Sequence, residues 1–171
     1  MNSRSLLICL TCQAQEISCL TNLIDLNLYR NELTYISPYI CLLTKLNILD
    51  VTSNYLTSVP NEISLLTNLT TLYLGNNKLT QNRLGGIFEL TKLSVLTLQI
   101  NQLKYDPIDY RDLSKISNLA NLYHLSIGEN CMIQLPIEIT HLTKLGYLSI
   151  SGNPLVRIPA ELSLMDAMKM Y

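Results

Sequence analysis

One pairing in this chain has the residue types of a nucleophile and its base. His124 and Ser126 stand two residues apart, on one side of a strand, and an imidazole can take the proton of a neighbouring hydroxyl. Such a pair needs a third group to orient the ring and donors to hold an oxyanion. The sequence indicates neither, and the other histidine, His141, falls in a polar Thr-His-Leu-Thr stretch. Cys9 and Cys12 form a CxxC, a spacing used in metal and redox sites. A zinc site needs a second pair, which Cys19, Cys41 and Cys131 do not supply, so the cysteines read as free, buried or half-buried thiols. Gly85-Gly86 is too little for a phosphate-cradling loop. No catalytic residue, no metal ligand and no cofactor is therefore expected.

The chemistry that remains is recognition. Tyr29, Arg30, Tyr73, His124 and Tyr147 are the side chains most suited to gripping a partner, since tyrosine and arginine dominate binding hot spots. Asp25, Asn27, Asp50, Gln99 and Glu129 supply charge and hydrogen bonds around them. Ile48, Val95 and Ile100 would be unexplained on an idle surface. A second group, Tyr105, Asp109, Tyr110 and Arg111, is the most partner-like segment off this surface.

These residues are related by an internal repeat. Six segments follow the pattern LxxLxLxxNxL, starting at Leu23, Leu46, Leu69, Leu93, Leu122 and Leu145. Their asparagines are Asn31, Asn54, Asn77, Asn101, Asn130 and Asn153, separated by 23, 23, 24, 29 and 23 residues. Fixed spacing of this kind marks a solenoid of stacked coils. Within each segment the middle residues alternate in and out, the period of a strand. Leu26 and Leu28 then face inward while Asp25 and Asn27 face outward, and Val51, Ile127 and Ile150 suit strand positions as β-branched residues. Each coil adds one short strand to a parallel sheet and returns on the opposite side, near a proline that blocks further pairing. The asparagine carboxamide, turned inward, offers donors and an acceptor to backbone groups left unpaired where the strand ends.

The outward positions form columns across the coils. The first holds Asp25, Ile48, Thr71, Val95, His124 and Tyr147; the second holds Asn27, Asp50, Tyr73, Thr97, Ser126 and Ser149. The third holds Tyr29, Thr52, Gly75, Gln99, Gly128 and Ser151; the fourth holds Arg30, Ser53, Asn76, Ile100, Glu129 and Gly152.

The pattern resembles that of leucine-rich-repeat proteins over nearly the whole chain. Val59-Pro60 with Ile63 and Leu66, Leu135-Pro136 with Ile139 and Leu142, and Ile158-Pro159 with Leu162 carry the second half of the longer consensus. This 23-residue form is similar to the intracellular, Ras-pathway-scaffold class. The resemblance implies an α/β repeat solenoid with a curved parallel sheet on the concave face and irregular, 3-10 or short helical turns on the convex side. It also implies a non-enzymatic, cytoplasmic scaffold that binds another protein on the concave sheet, with a small GTPase, a phosphatase or a ubiquitin-ligase component as partner. Two other readings stay open: the sensing or recruiting region of a larger enzyme or receptor, and an extracellular recognition module.

Composition narrows the field further. A net charge of −1 gives no electrostatic footprint for nucleic acid or an anionic membrane. No apolar stretch reaches the roughly 20 residues needed to span a bilayer. We read residues 1–171 as one domain: 1–22 a degenerate first coil, 23–167 six repeats, and 168–171 the start of a truncated or capping coil. Residues 1–22 also have some features of a signal peptide, with Arg4 before Leu6–Leu10. Neither end carries a convincing polar cap, so the solenoid is expected to continue in a longer chain, to be weakly capped around Met165, Met168 and Met170, or to self-associate. Two coils break the period. One has an extra residue, no proline and the pair Gly85-Gly86; the other has six extra residues around Tyr105–Arg111.

Overall fold

The computed structural model describes residues 20–105, 113–164 and 169–170. The CxxC at Cys9 and Cys12, Cys19, the reading of 1–22 as a coil or leader, the loop residues Asp109, Tyr110 and Arg111, and Met165 and Met168 lie almost wholly or entirely outside the described residues.

Among the described residues, seven short strands form one sheet in chain order, every pair parallel. They are β1 (Asp25–Asn27), β2 (Ile48–Asp50), β3 (Thr71–Tyr73), β4 (Val95–Thr97), β5 (His124–Ser126), β6 (Tyr147–Ser149) and β7 (Lys169–Met170). The register aligns Leu26, Leu49, Leu72, Leu96, Leu125 and Leu148, which all point inward and are fully buried. Alternation along a strand fixes the opposite result for their neighbours, which line the outer face. Sequential parallel order follows from the repeat, since each coil can bury its aliphatic row only against the next.

The return side is built from 3-10 turns: Pro38–Leu42, Asn61–Leu65, Gln81–Arg83, Gly85–Glu89, Leu113–Asn118, Ile137–His141 and Ala160–Leu164. Pro60 and Pro136 sit at the entry of their turns with φ of −68° and −63°, where the missing N–H costs no sheet bond. Ile40, Ile63, Ile87, Ile116, Ile139 and Leu162 drop from these turns into the core. Each such side chain contributes roughly 1.5–3 kcal/mol by leaving water.

The asparagines form a continuous ladder. Asn77 Nδ2 donates to Leu74 O at 3.1 Å in its own coil and to Val51 O at 3.1 Å in the coil before. Asn77 Oδ1 accepts from Leu56 N at 2.9 Å. Asn54, Asn101, Asn130 and Asn153 repeat this scheme, each carboxamide tied to the coil before its own. Asn31 donates within its own coil, to Leu28 O and Tyr29 O.

A second ladder, absent from the sequence reading, runs along the edge where each coil re-enters the sheet. Asn22, Lys45, Asn68, Lys92, Asn121 and Lys144 occupy the position before the first leucine. Lys45, Lys92 and Lys144 donate to the Oδ1 of Asn22, Asn68 and Asn121 at 2.6, 2.8 and 2.6 Å. Asn68 and Asn121 donate in turn to Thr44 O and Thr91 O of the preceding coils. The bonds alternate with a two-coil period because the residue types do.

Candidate protein-binding face

The outer face of the sheet is continuous and carries the columns read from the sequence. Asp25, Ile48, Thr71, Val95, His124 and Tyr147 are paired laterally in one row and are all half-buried. Lys169 extends the row as the partner of Tyr147. In the next column Asn27, Asp50 and Tyr73 are half-buried, whereas Thr97 and Ser126 are 7% and 8% exposed. Asn27 and Asp50 have a local task as well. Their Oδ1 atoms each accept a backbone N–H two residues on, Tyr29 and Thr52, at 2.9 Å, and so turn the chain at the strand end.

The fourth column differs from the simple alternation. Arg30, Ser53, Asn76, Ile100 and Glu129 have φ of 53°, 58°, 52°, 55° and 49°, and Gly152 has 71°. Each lies beyond its strand in the left-handed region and still donates its N–H to the next coil where a bond is formed, as Ile100 does to Gly128 O at 3.0 Å. Only Asn76 and Gly152 are residue types that adopt this region readily. A β-branched residue there is strained, and Ile100 is also 42% exposed.

Three groupings emerge along the face. At the N-terminal end the Arg30 guanidinium lies 5.1 Å from the ring centroid of Tyr29, a cation–π contact. At the C-terminal end Tyr147 is the hub of a cluster. His124 stacks on it at 5.8 Å, Tyr123 meets it edge-on at 5.5 Å, and Lys169 Nζ lies 5.8 Å from its centroid. Tyr123 and Lys169 were not singled out in the sequence. The signal was Gly146, since a Cβ there would lie 2.4 Å from the Tyr123 ring, so the glycine makes room for it. Between these ends, Gln99 lies over Gly75, whose absent Cβ would sit 2.7 Å from the Gln99 amide nitrogen. Gln99 Oε1 and Thr97 Oγ1 are buried with no hydrogen-bond partner. Tyr73 is half-buried on the second column, and Glu129 is exposed on the fourth.

Tyr105, grouped in sequence with the insertion loop, is half-buried and packs against the core. One expectation needs correction. Cys131 was expected to be buried or half-buried; it is exposed, because the residue between the asparagine and the last leucine of a repeat points away from the core. Cys41 is buried at 2% exposure, and burial, with Glu62 nearby, pushes its thiol up to about 11. His124 makes no hydrogen bond to Ser126; its ring is engaged with Tyr147 instead. Among the described residues no three of His, Cys, Asp and Glu gather as a metal site, and no helix is long and apolar enough to cross a membrane.

A family model described as leucine rich repeat matches residues 44–103. No curated protein matches the sequence. Among solved structures, a leucine-rich-repeat protein of Leptospira interrogans is 33% identical with a TM-score of 0.69, over 91% of this chain and 44% of that one. The ectodomain of the plant membrane receptor kinase GASSHO1/SCHENGEN3 from Arabidopsis thaliana is 26% identical with a TM-score of 0.74, over 91% of this chain and 19% of that one. Internalin C2 of Listeria monocytogenes is 24% identical with a TM-score of 0.71, over 91% of this chain and 74% of that one, a likeness of fold. This chain thus spans less than half the length of the first two. Asparagine turns in register, a sheet built coil by coil and these likenesses lead to one conclusion: the chain belongs to the leucine-rich-repeat proteins.

Proposed function

We propose that this chain is a non-enzymatic scaffold that grips another protein on its concave sheet face. The observation that carries the reading is the cluster of Tyr123, His124, Tyr147 and Lys169. Rings held against one another lose little further freedom on binding, so such a cluster is a pre-organised anchor. Buried Thr97 Oγ1 and Gln99 Oε1, which have no partner, and strained, exposed Ile100 lie toward the middle of the same face and support the same assignment. Tyr29 and Arg30 supply a second anchor at the other end. The plant receptor kinase ectodomain was solved in complex with Casparian strip integrity factor 2, so a fold of this kind holds another molecule in at least one relative.

In this reading the partner is a folded protein such as a small GTPase, a phosphatase or a ligase component, met in the cytoplasm. An exposed free thiol at Cys131 suits a reducing compartment. A second reading, extracellular recognition, draws support from the likeness to a receptor ectodomain. Affinity capture from the native organism tests the first. A partner held by the natural chain and lost from the Tyr73→Ala, Arg30→Ala double variant supports the concave face. A partner held equally by both would move the site elsewhere, and disulfides or a removed leader in secreted material would favour the second reading.

A further inference from the structure

Away from the sheet, on the side of the 3-10 turns, three successive coils line a polar hollow of about 550 Å³ that is open to solvent. Its size is that of a small-molecule site, for which about 300–1,000 Å³ is usual. Ser58, Asn61, Ser64, Arg83, Glu89 and Lys115 line it. The cavity exists because of the coil that breaks the repeat. Without a proline, and with an extra residue, the chain folds Gln81–Arg83 and Gly85–Glu89 as two turns instead of one. Gly85, at φ of +57°, then lies so near the preceding coil that a Cβ would sit 2.3 Å from Val59 O. Gly86 is equally close to Asn61 O, at 2.3 Å. Val59 N donates to Arg83 O at 2.8 Å, which fixes the backbone of Arg83 at the cavity wall.

The chemistry of the wall is specific. The side chains of Ser58, Asn61, Arg83 and Glu89 form no hydrogen bond or ion pair with any described residue, although all four line one cavity. Arg83 and Glu89 do not pair with each other, so a cation and a carboxylate are both left facing the space. A guanidinium with hydroxyl and amide donors beside it holds a tetrahedral oxyanion. A carboxylate in the same wall repels a bare anion but accepts hydrogen bonds from hydroxyl groups. We propose that this cavity is a binding site for a small phosphate monoester of a polyol, with Arg83 on the phosphate and Glu89 on the hydroxyls.

The test is calorimetric titration of the full chain with glycerol 3-phosphate, inorganic phosphate and glycerol. Saturable binding is expected for glycerol 3-phosphate, weaker binding for inorganic phosphate and none for glycerol. Arg83→Gln, a change at an exposed side chain, should weaken glycerol 3-phosphate at least about tenfold with an unchanged circular dichroism spectrum. Glu89→Gln should raise the affinity for inorganic phosphate more than that for glycerol 3-phosphate, because it removes a repulsive charge and leaves a weaker, neutral hydroxyl acceptor. Tyr147→Ala on the sheet should leave all of this unaltered. Absence of saturable binding, equal binding of the two phosphates, or an Arg83→Gln chain that binds as the natural one does would each overturn the proposal.

Discussion

Replacing Asn77 with alanine strips four hydrogen bonds from the interior. Nδ2 donates to Val51 O, Leu74 O and Gly75 O at 3.1, 3.1 and 3.2 Å, and Oδ1 accepts from Leu56 N at 2.9 Å. Asn77 is 7% exposed and Leu56 fully buried, so water does not readily replace the lost acceptor. An orphaned buried N–H costs about 1–3 kcal/mol, and the carbonyls and the vacated volume add to it, giving roughly 3–4 kcal/mol in all. The adjacent Asn76 is exposed, and its one side-chain bond goes to Ser53 Oγ at 3.0 Å. Its backbone is at φ of 52°, so Asn76→Ala still costs about 1 kcal/mol for an alanine in the left-handed region. Asn76→Gly, free of that penalty, should cost a few tenths of a kcal/mol. With a urea slope of about 2 kcal/mol per molar, the midpoint falls by about 1.5–2 M for Asn77→Ala and about 0.5 M for Asn76→Ala. The comparison is made at constant slope, since a solenoid can lose cooperativity. Equal shifts for the two alanine variants would refute the ladder as the reason for the asparagine.

Other outcomes follow from single residues. Ile100→Asn should raise stability by about 1 kcal/mol, since asparagine tolerates the left-handed backbone at φ of 55° that isoleucine does not; a loss of stability in urea would mean that packing outweighs strain. Gly85→Ala should lower stability by about 2–4 kcal/mol, because its Cβ meets the Val59 carbonyl; a near-neutral melting curve would place Gly85 in a looser turn. Site-resolved alkylation at pH 8 should modify Cys131 well before Cys41, which stays protonated until pH approaches about 11; equal rates would contradict the burial of Cys41. The same shift has a consequence for stability. An unfolded thiol ionises near pH 9.0 and the folded one near 11, so Cys41 favours the folded state below pH 9 and that contribution fades as pH rises toward 11. Denaturant titrations of the natural chain and Cys41→Ser across pH 8–11 check this, and a natural chain no more pH-sensitive than the variant would exclude it.

The inward rows were legible because burial imposes a fixed period, and leucine at Leu26, Leu49 or Leu72 has one place to go. The asparagine ladder was legible for the same reason, since a polar residue at an inward position must find partners. What escaped was set by geometry that residue type does not announce. Arg30, Ile100 and Glu129 give no sign of a left-handed backbone; only their alignment with Asn76 and Gly152 does. The alternation of Asn22, Lys45, Asn68, Lys92, Asn121 and Lys144 was present in the sequence, but a two-coil period is invisible when coils are aligned one at a time. Tyr123 escaped because its place beside Tyr147 depends on the space over Gly146 in the next coil. The cavity beside Arg83 draws on three coils, so no single repeat contains it.

The central claim, a protein partner on the concave sheet, is tested most directly by placing a photo-cross-linking residue at Gln99 on the sheet or at Glu62 on the turn side, in cells of the native organism. A discrete covalent adduct with one protein is expected from position 99 and none from position 62. An adduct formed from position 62 alone would contradict the claim.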